Sequence, residues 1–416
     1  MLNLYRALIN LILIFSPLIV IIRLIKKKES FSRFVEKFGF QSKKKNKGKL
    51  IWFHGASVGE IQSVVPLLEK LENSKKISQI LITSNTLSSS KIISKIKLKK
   101  VSHQFFPIDN NFIVKKFIKH WKPSVALFID SEVWPNMLIN LNKEKIPTVL
   151  LNARITKKSY NRWIKLKGFS RFIFDKFNLC LSSNKETVGF LKNLGAKNIK
   201  YFGNLKYSQS EKEKIEIDSQ TTKFILNKTV WCASSTHNSE EKFVGLVHNK
   251  LKKKYKNLLT VIIPRHIDRE KQIKSQLSNL GLKIHVHEPK TKIHQDTDIY
   301  LVNTFGKTKS FYSLVKNVFL GGSLIKHGGQ NPLEAVRYNC NILYGPNVSN
   351  FDEIYKFLNK QKISKKIFNL NQTINVLDKL FASKKAQKNI KSRINAIGQK
   401  VLEKNIKEIN LILNKV

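Results

Sequence analysis

The sequence predicts an α/β protein made of two successive doubly wound domains behind an apolar N-terminal helix. Three observations carry this. At 416 residues the chain is too long for one ordinary core and suits two. From residue 49 onward, short apolar runs alternate with helix-length segments, the pattern of a mostly parallel sheet covered on both faces. The N-terminus, "ALINLILIFSPLIVIIRLIKKK", is compositionally unlike the rest.

In that first segment (1–28) an almost unbroken apolar run extends from Ala7 to Ile22, with Arg6 before it and Arg23, Lys26, Lys27 and Lys28 after it. The run is slightly shorter than the ~20 residues that comfortably cross a bilayer, and Pro17 interrupts it. A cleaved signal peptide wants small residues after its apolar core, and lysines stand there instead. The segment reads as an uncleaved anchor whose basic flank keeps the remaining chain on the cytoplasmic side of the membrane. Spanning the bilayer and lying in one leaflet both remain open at this point.

The first domain (29–210) contributes the strand patterns "KLIWFHG", "QILITSN", "HQFFPID", "SVALFID", "PTVLLNA", "LCLSSN" and "IKYFGN". In "IWFHGASVGEIQ" a strand stops at small residues and a helix follows, with Ile61, Val64, Val65, Leu68 and Leu71 on one face. Glu60 sits at the mouth of that helix. A first-turn carboxylate favours the helix dipole and needs no further reason; a chemical role depends on what else reaches the same sheet edge, where α/β proteins bind ligands. The polar stretch 207–222 reads as the link. The second domain (223–385) shows "TVWCAS", "LLTVIIPRH", "LKIHVHE", "DIYLVNT", "NVFLGGS" and "CNILYGP", and a lysine-rich amphipathic helix (386–416) closes the chain. Two such domains are expected to face each other across a cleft that takes a nucleotide and a second substrate.

Net charge is +48, from 76 Lys and Arg against 28 Asp and Glu. Such a surplus suits an anionic partner, although the excess is mostly Lys spread along an Ile- and Asn-rich chain, which also fits a composition bias. No zinc-finger spacing, arginine-rich stripe or aromatic RNA-binding motif occurs, which argues against a dedicated nucleic-acid binder. Cys180, Cys232 and Cys340 are solitary and read as reduced core residues.

Polar clusters end several strands of the second domain. In "SSTHNSEE" (234–241), Ser235 and Thr236 suit helix capping or phosphate contact equally. In "PRHIDR" (264–269), Arg265 follows a buried strand and suits a bidentate grip on phosphate or a surface ion pair. In "FLGGSLIKHGGQNPLEA" (319–335), Gly321-Gly322 permit close backbone approach to a ligand and Gly328-Gly329 open a second turn. Asn331-Pro332 then begin a helix with Glu334 in its first turn, suited to a phosphate and to ribose hydroxyls. "DTD" (296–298) resembles the D-x-D of metal-dependent sugar transferases, but it precedes a strand and reads as turn chemistry.

Eight motifs in order, "HGASVGE", "DSEVWPN", "NARITKKSY", "GNLKYS", "SSTHNSEE", "PRHIDR", "GGSLIKHGGQNPLEA" and "YGPNVSNFDEI", give the chain a resemblance to the 3-deoxy-D-manno-octulosonic acid (Kdo) transferases of lipopolysaccharide assembly. The resemblance covers nearly the whole chain. It implies a GT-B type fold of two Rossmann-like domains, a CMP-Kdo donor, a lipid A precursor as acceptor, and an anionic inner-membrane surface as partner, with no cofactor. It makes Glu60 the general base and Asp130 and Lys206 transition-state stabilisers, with Glu132 a rival for the acidic role. Pro264, Arg265, Phe305, Gly306, Lys307, Asn331, Pro332, Leu333 and Glu334 would hold the cytidine monophosphate, and no residue is assigned to a metal. The chain departs from the family's D-T-M-G-E-L at "NTFGKT", where Asn303 and Lys307 replace acids, and from G-G-H-N at Gln330. Lys307 would meet the donor phosphate directly, or the contact is lost. The alternatives are a GT-B transferase using another nucleotide sugar and an inactive membrane-bound sugar-binding protein.

Overall fold

The structure, a computed structural model, describes residues 1–209, 217–288, 291–304, 306–383 and 390–416. The chain forms two compact units, Met1–Ser210 with Asn395–Val416, and Glu211–Ile394. The first holds seven strands: β1 (Leu50–His54), β2 (Gln79–Ser84), β3 (Val101–Phe105), β4 (Val125–Ile129), β5 (Thr148–Ala153), β6 (Leu179–Ser182) and β7 (Ile199–Tyr201). All pair in parallel, in the order β3-β2-β1-β4-β5-β6-β7.

Alternate residues of β1 go to opposite cores. Leu50 and Trp52 join Phe117, Phe128 and Leu150 on one face, while Ile51 and Phe53 join Ile80, Leu127 and Leu151 on the other. Both faces are buried, as a parallel sheet requires. The helix Lys391–Leu413 covers the second face, lending it Val401, Leu402, Ile409 and Leu413. It approaches so closely that a Cβ on Gly398 would lie 2.2 Å from the Tyr207 carbonyl oxygen.

The second unit contains β8 (Thr229–Thr236), β9 (Leu258–Pro264), β10 (Ile284–Val286), β11 (Ile299–Leu301), β12 (Asn317–Leu320), β13 (Asn341–Tyr344) and β14 (Ser364–Lys366). The strands are parallel, in the order β10-β11-β9-β8-β12-β13-β14. Its core gathers Trp231, Ile262, Leu301, Phe319 and Leu343 with Val244 and Leu277 of flanking helices. Sequence reading found the first thirteen strands and missed β14. That edge strand exposes Lys365 and Lys366 and has no apolar run of its own, a composition that also guards an edge against pairing with another chain.

The N-terminal run forms the helix Leu2–Ile25. Pro17 removes the N–H that the Leu13 carbonyl would receive, and the Ser16 hydroxyl donates to that oxygen instead, at 2.6 Å. The stretch read as a link already turns helical at Ser219–Leu226, and its residues 210–216 lie outside those described.

Gly398→Ala is expected to destabilise the first unit by roughly 1–3 kcal/mol through overpacking against Tyr207. Urea unfolding monitored by tryptophan fluorescence measures this, and an unchanged midpoint would show that the helix shifts freely.

Candidate active site

In both sheets the order in which successive strands are laid down reverses at the first strand, between β1 and β4 and between β8 and β12. Loops leaving neighbouring strands diverge there and open a crevice at the carboxyl edge.

At the first of these points Ser57 caps the helix Val58–Glu72, accepting from the Glu60 N–H at 3.3 Å. The Glu60 carboxylate turns back, taking the Ala56 N–H on Oε2 at 2.7 Å and the Ser57 hydroxyl on Oε1 at 2.8 Å. This is a close relative of the capping box, and it fixes the carboxylate over the small-residue loop. Burial, then the charges of Asp130 and Glu132, raise Glu60 from 4.5 to about 7.

Asp130 and Glu132 arrive from the end of β4. Asp130 is 8% exposed and holds a left-handed φ of 61°, which turns the chain out of the strand. Its backbone is fixed on both sides, donating to the Leu151 carbonyl and accepting from the Arg154 N–H, each at 3.0 Å. Glu132 is clamped: its Oε2 lies 3.1 Å from His54 Nε2 and accepts the Trp134 indole N–H at 2.8 Å. Burial pushes Glu132 up, but the bond and charge of His54 and the indole bond outweigh it and hold the carboxyl below its usual range. His54 is fully buried, stacked on Phe106 at 3.7 Å between ring centroids.

Lys206 reaches the same group from the turn Leu205–Ser208 beyond β7. A register shift between Leu150 and Ala153 bends β5 and puts Asn152 at φ 52°, so that its side-chain oxygen accepts the Leu205 N–H at 2.9 Å. Burial lowers the Lys206 ammonium pKa against the pull of Asp130 and Glu60, and Arg154 adds repulsion. Arg154 Nε is 3.8 Å from Asp130 Oδ2. The structure therefore brings Glu60, Asp130, Glu132 and Lys206 into one electrostatic cluster, and separates the two acids: Glu132 is held by His54, whereas Asp130 faces the cations.

In the second unit, Pro264 and Arg265 end β9, Gly306 and Lys307 follow β11, and Asn331–Glu334 follow β12, all at one edge of the sheet. Phe305 lies outside the described residues. Arg265 is exposed, Lys307 half-buried, and Asn303 donates to Glu270 Oε2 at 2.8 Å. The helix expected from Asn331 is a single turn, Leu333–Arg337, with Pro332 before it, so its dipole is weak; the Asn331 side chain accepts the Leu333 N–H at 3.1 Å.

Two expectations are corrected here, the capping of the second unit's helix and the free backbone after Gly321-Gly322. Ser235 and Thr236 finish β8 and do not cap the helix Glu240–Lys252, whose N-cap position is Ser239. Gly328 and Gly329, at φ 99° and 76°, form the expected turn, and the close approaches are to the protein itself: a Cβ on Gly321 would lie 2.5 Å from the Ser235 carbonyl oxygen, and one on Gly328 2.4 Å from Asn350 Nδ2. The N–H groups that follow are occupied, since the Glu240 carboxylate accepts from Gly322 at 2.7 Å, Leu324 at 3.1 Å, Ser323 at 3.2 Å and, on its own loop, His237 at 3.0 Å. "DTD" is confirmed as structural in part: Asp298 binds His248 Nε2 and Lys252 and accepts the Lys283 N–H.

Sequence reading also missed a cluster of imidazoles. The His237 ring centroid lies 4.2 Å from that of His327 and 5.8 Å from that of His266, and Gln330 Nε2 is 3.5 Å from His237 Nε2. Burial, then His327, His266, Arg265 and Arg269, push His237 down to about 4. Each ring stood in a quoted motif, but only strand order shows that the ends of β8, β9 and β12 converge.

Residues 32–209 match the family model described as 3-deoxy-D-manno-octulosonic-acid transferase (kdotransferase). Over 384 residues the chain is 32% identical to the 3-deoxy-D-manno-octulosonic acid transferase of Rickettsia bellii, covering 91% of each protein. The chain belongs to the 3-deoxy-D-manno-octulosonic acid transferase family. The Haemophilus influenzae transferase of that name is 27% identical over 95% of this chain and 94% of its own length. A crystal structure of a putative UDP-N-acetylglucosamine 2-epimerase from Listeria monocytogenes superposes with a TM-score of 0.60 at 11% identity, covering 89% of this chain and 98% of that one. The glycotransferase of kitacinnamycin gives 0.54 at 8% identity, covering 88% and 100%. These two share only the fold with this chain, whose two parallel α/β sheets are of the GT-B type.

Because Glu60 keeps its proton to about pH 7 when folded and its ordinary value is 4.5, the native state binds more protons than the unfolded chain between those values. Its contribution to stability is therefore present below pH 4.5 and lost as pH rises through 7. Glu60→Gln is expected to gain thermal stability over the parent progressively across that window. Melting curves from pH 4 to 8 check it; a constant difference would show an unperturbed carboxyl.

Proposed function

We propose that the chain transfers a Kdo residue from CMP-Kdo to a hydroxyl of a lipid A precursor at the cytoplasmic face of the inner membrane. The observation that carries this reading is Glu60: a carboxylate fixed at the crevice of the first sheet, raised to about 7, beside Asp130 and Lys206. Membership of the Kdo transferase family supports the sugar; the donor and acceptor follow from the motif resemblance.

In this reading the first unit receives the acceptor. Glu60 removes the proton of the attacking hydroxyl, a task best done by a base whose pKa lies near the working pH. The oxygen bonds to the anomeric carbon as the bond to the cytidine monophosphate oxygen breaks, and the phosphate leaves as an anion. Asp130 answers positive charge developing on the sugar, while Lys206 offsets negative charge on the departing group. The second unit holds the nucleotide through Pro264, Arg265, Phe305, Gly306, Lys307 and Asn331 to Glu334. The reading assigns no cofactor.

Incubating the purified full-length protein with CMP-Kdo and lipid A precursor is expected to give products heavier by one or more Kdo residues. Transfer from another nucleotide sugar, with none from CMP-Kdo, would sink the proposal. Glu60→Gln should lower turnover by about 10²–10⁴-fold, the usual contribution of a general base. Asp130→Asn removes the negative charge that raises Glu60 most, so the acid limb of kcat/KM in its residual activity should move to lower pH. A limb that stays in place would assign it to another group.

A further inference from the structure

The helix Leu2–Ile25 is long and apolar enough to cross a bilayer, yet its exposure pattern has a different geometry. Tyr5, Ile9, Leu13, Ser16, Val20 and Leu24 are shielded, recurring every three or four positions along the full length. That is one helical stripe laid on a surface. Ser16 and Val20, at mid-helix, are only 5% and 8% exposed, whereas Leu4, Leu8, Leu11, Phe15, Leu18 and Ile22 are between 44% and 59% exposed.

Both ends bond to the first unit. The Tyr5 hydroxyl donates to Asp109 Oδ2 at 2.7 Å, Arg6 Nε donates to Asn136 Oδ1 at 2.9 Å, and Asn10 Oδ1 accepts from Asn110 at 2.8 Å. At the other end, Glu29 is 6% exposed and takes both Arg23 Nε at 3.1 Å and Lys37 Nζ at 2.5 Å. The Lys37 carbonyl in turn accepts the Ile108 N–H at 2.8 Å, one residue from Asp109. Tyr5 and Arg23 are separated by about 27 Å of helix, close to the ~30 Å thickness of a hydrocarbon core. A spanning helix carries such ends to opposite faces of the membrane. A folded body outside the membrane cannot hold both, nor shield the middle.

We infer that the N-terminal helix is monotopic: it lies along one leaflet of an anionic lipid surface, its outer apolar face in the acyl boundary and its shielded stripe on the first unit. The occupant of the exposed face is lipid because that face is continuous and aliphatic, and because exposed Lys26, Lys27 and Lys28 follow at its end in a chain of net charge +48. The same contacts tie the leaflet to the candidate site. Asp109 also accepts the Asn136 and Met137 N–H groups at 2.9 and 2.8 Å, starting the helix Pro135–Lys143 directly after the loop that carries Glu132.

The full-length chain, with one protease-cleavable tag ahead of Met1 and another after Val416, tests this in sealed inverted inner-membrane vesicles and in intact spheroplasts. An in-plane helix exposes both tags to protease in the inverted vesicles and neither in spheroplasts. If the N-terminal tag is cut only in spheroplasts while the C-terminal tag is cut only in inverted vesicles, the helix spans the membrane and the inference fails.

Discussion

A buried carboxylate receiving backbone N–H groups from a loop is the interaction on which both units depend. Glu36 is fully buried and takes the Phe105 N–H at 2.7 Å, fixing the segment after the N-terminal helix to the end of β3. Asp109 starts the helix that follows β4. Glu240 gathers four N–H groups and joins the loops leaving β8 and β12. Acids are scarce here, 28 against 76 bases, so those placed inside are not surface counter-charge. Each supplies strong charge-assisted bonds to donors that would otherwise be left unsatisfied at about 1–3 kcal/mol apiece.

Glu60 belongs to the same class and differs in one respect. Its neighbours include two further carboxylates, and the cation that balances them is itself desolvated. The backbone around it is also in uncommon conformations, at Asp130 and Asn152. Such residues persist where the surroundings over-determine them, and here the bulged β5 and the bonds of Asn152 and Arg154 do so. Among the described residues, local strain and charge crowding coincide at the crevice of the first sheet.

How much was legible in the sequence depended on range. Strands with continuous apolar runs were readable because burial on both faces demands them, and β14 was not, because its three residues, Ser364 to Lys366, include no apolar side chain. Glu60 was visible as an acid at a helix mouth, and its first-turn bonding is the ordinary capping arrangement. The neighbours that change its chemistry come from β4, β5 and β7, and no local pattern records that proximity. Of the glycine pairs after β12, Gly328-Gly329 were legible as a turn, whereas the close approaches were assigned to a ligand for a related reason. Their spacing signals close approach without naming the visitor, which proved to be Ser235 and Asn350 of the protein itself. Likewise Glu240 drew no reading within "SSTHNSEE", and only the folded loops show it as their common acceptor.

The first unit is discontinuous in the chain, for its second core face is closed by residues from Asn395 onward. During synthesis, Ile51, Phe53, Leu127 and Leu151 emerge from the ribosome long before Val401, Leu402 and Ile409 exist to cover them. At about 5–20 residues per second, the delay between Ala153 and Val416 is on the order of 10–50 s. Throughout that interval a nascent sheet offers an uncovered aliphatic surface, and the whole second unit has time to fold first. Translation pauses, chaperone capture and premature stop codons would therefore act on the first unit through the helix Lys391–Leu413, made long after its strands.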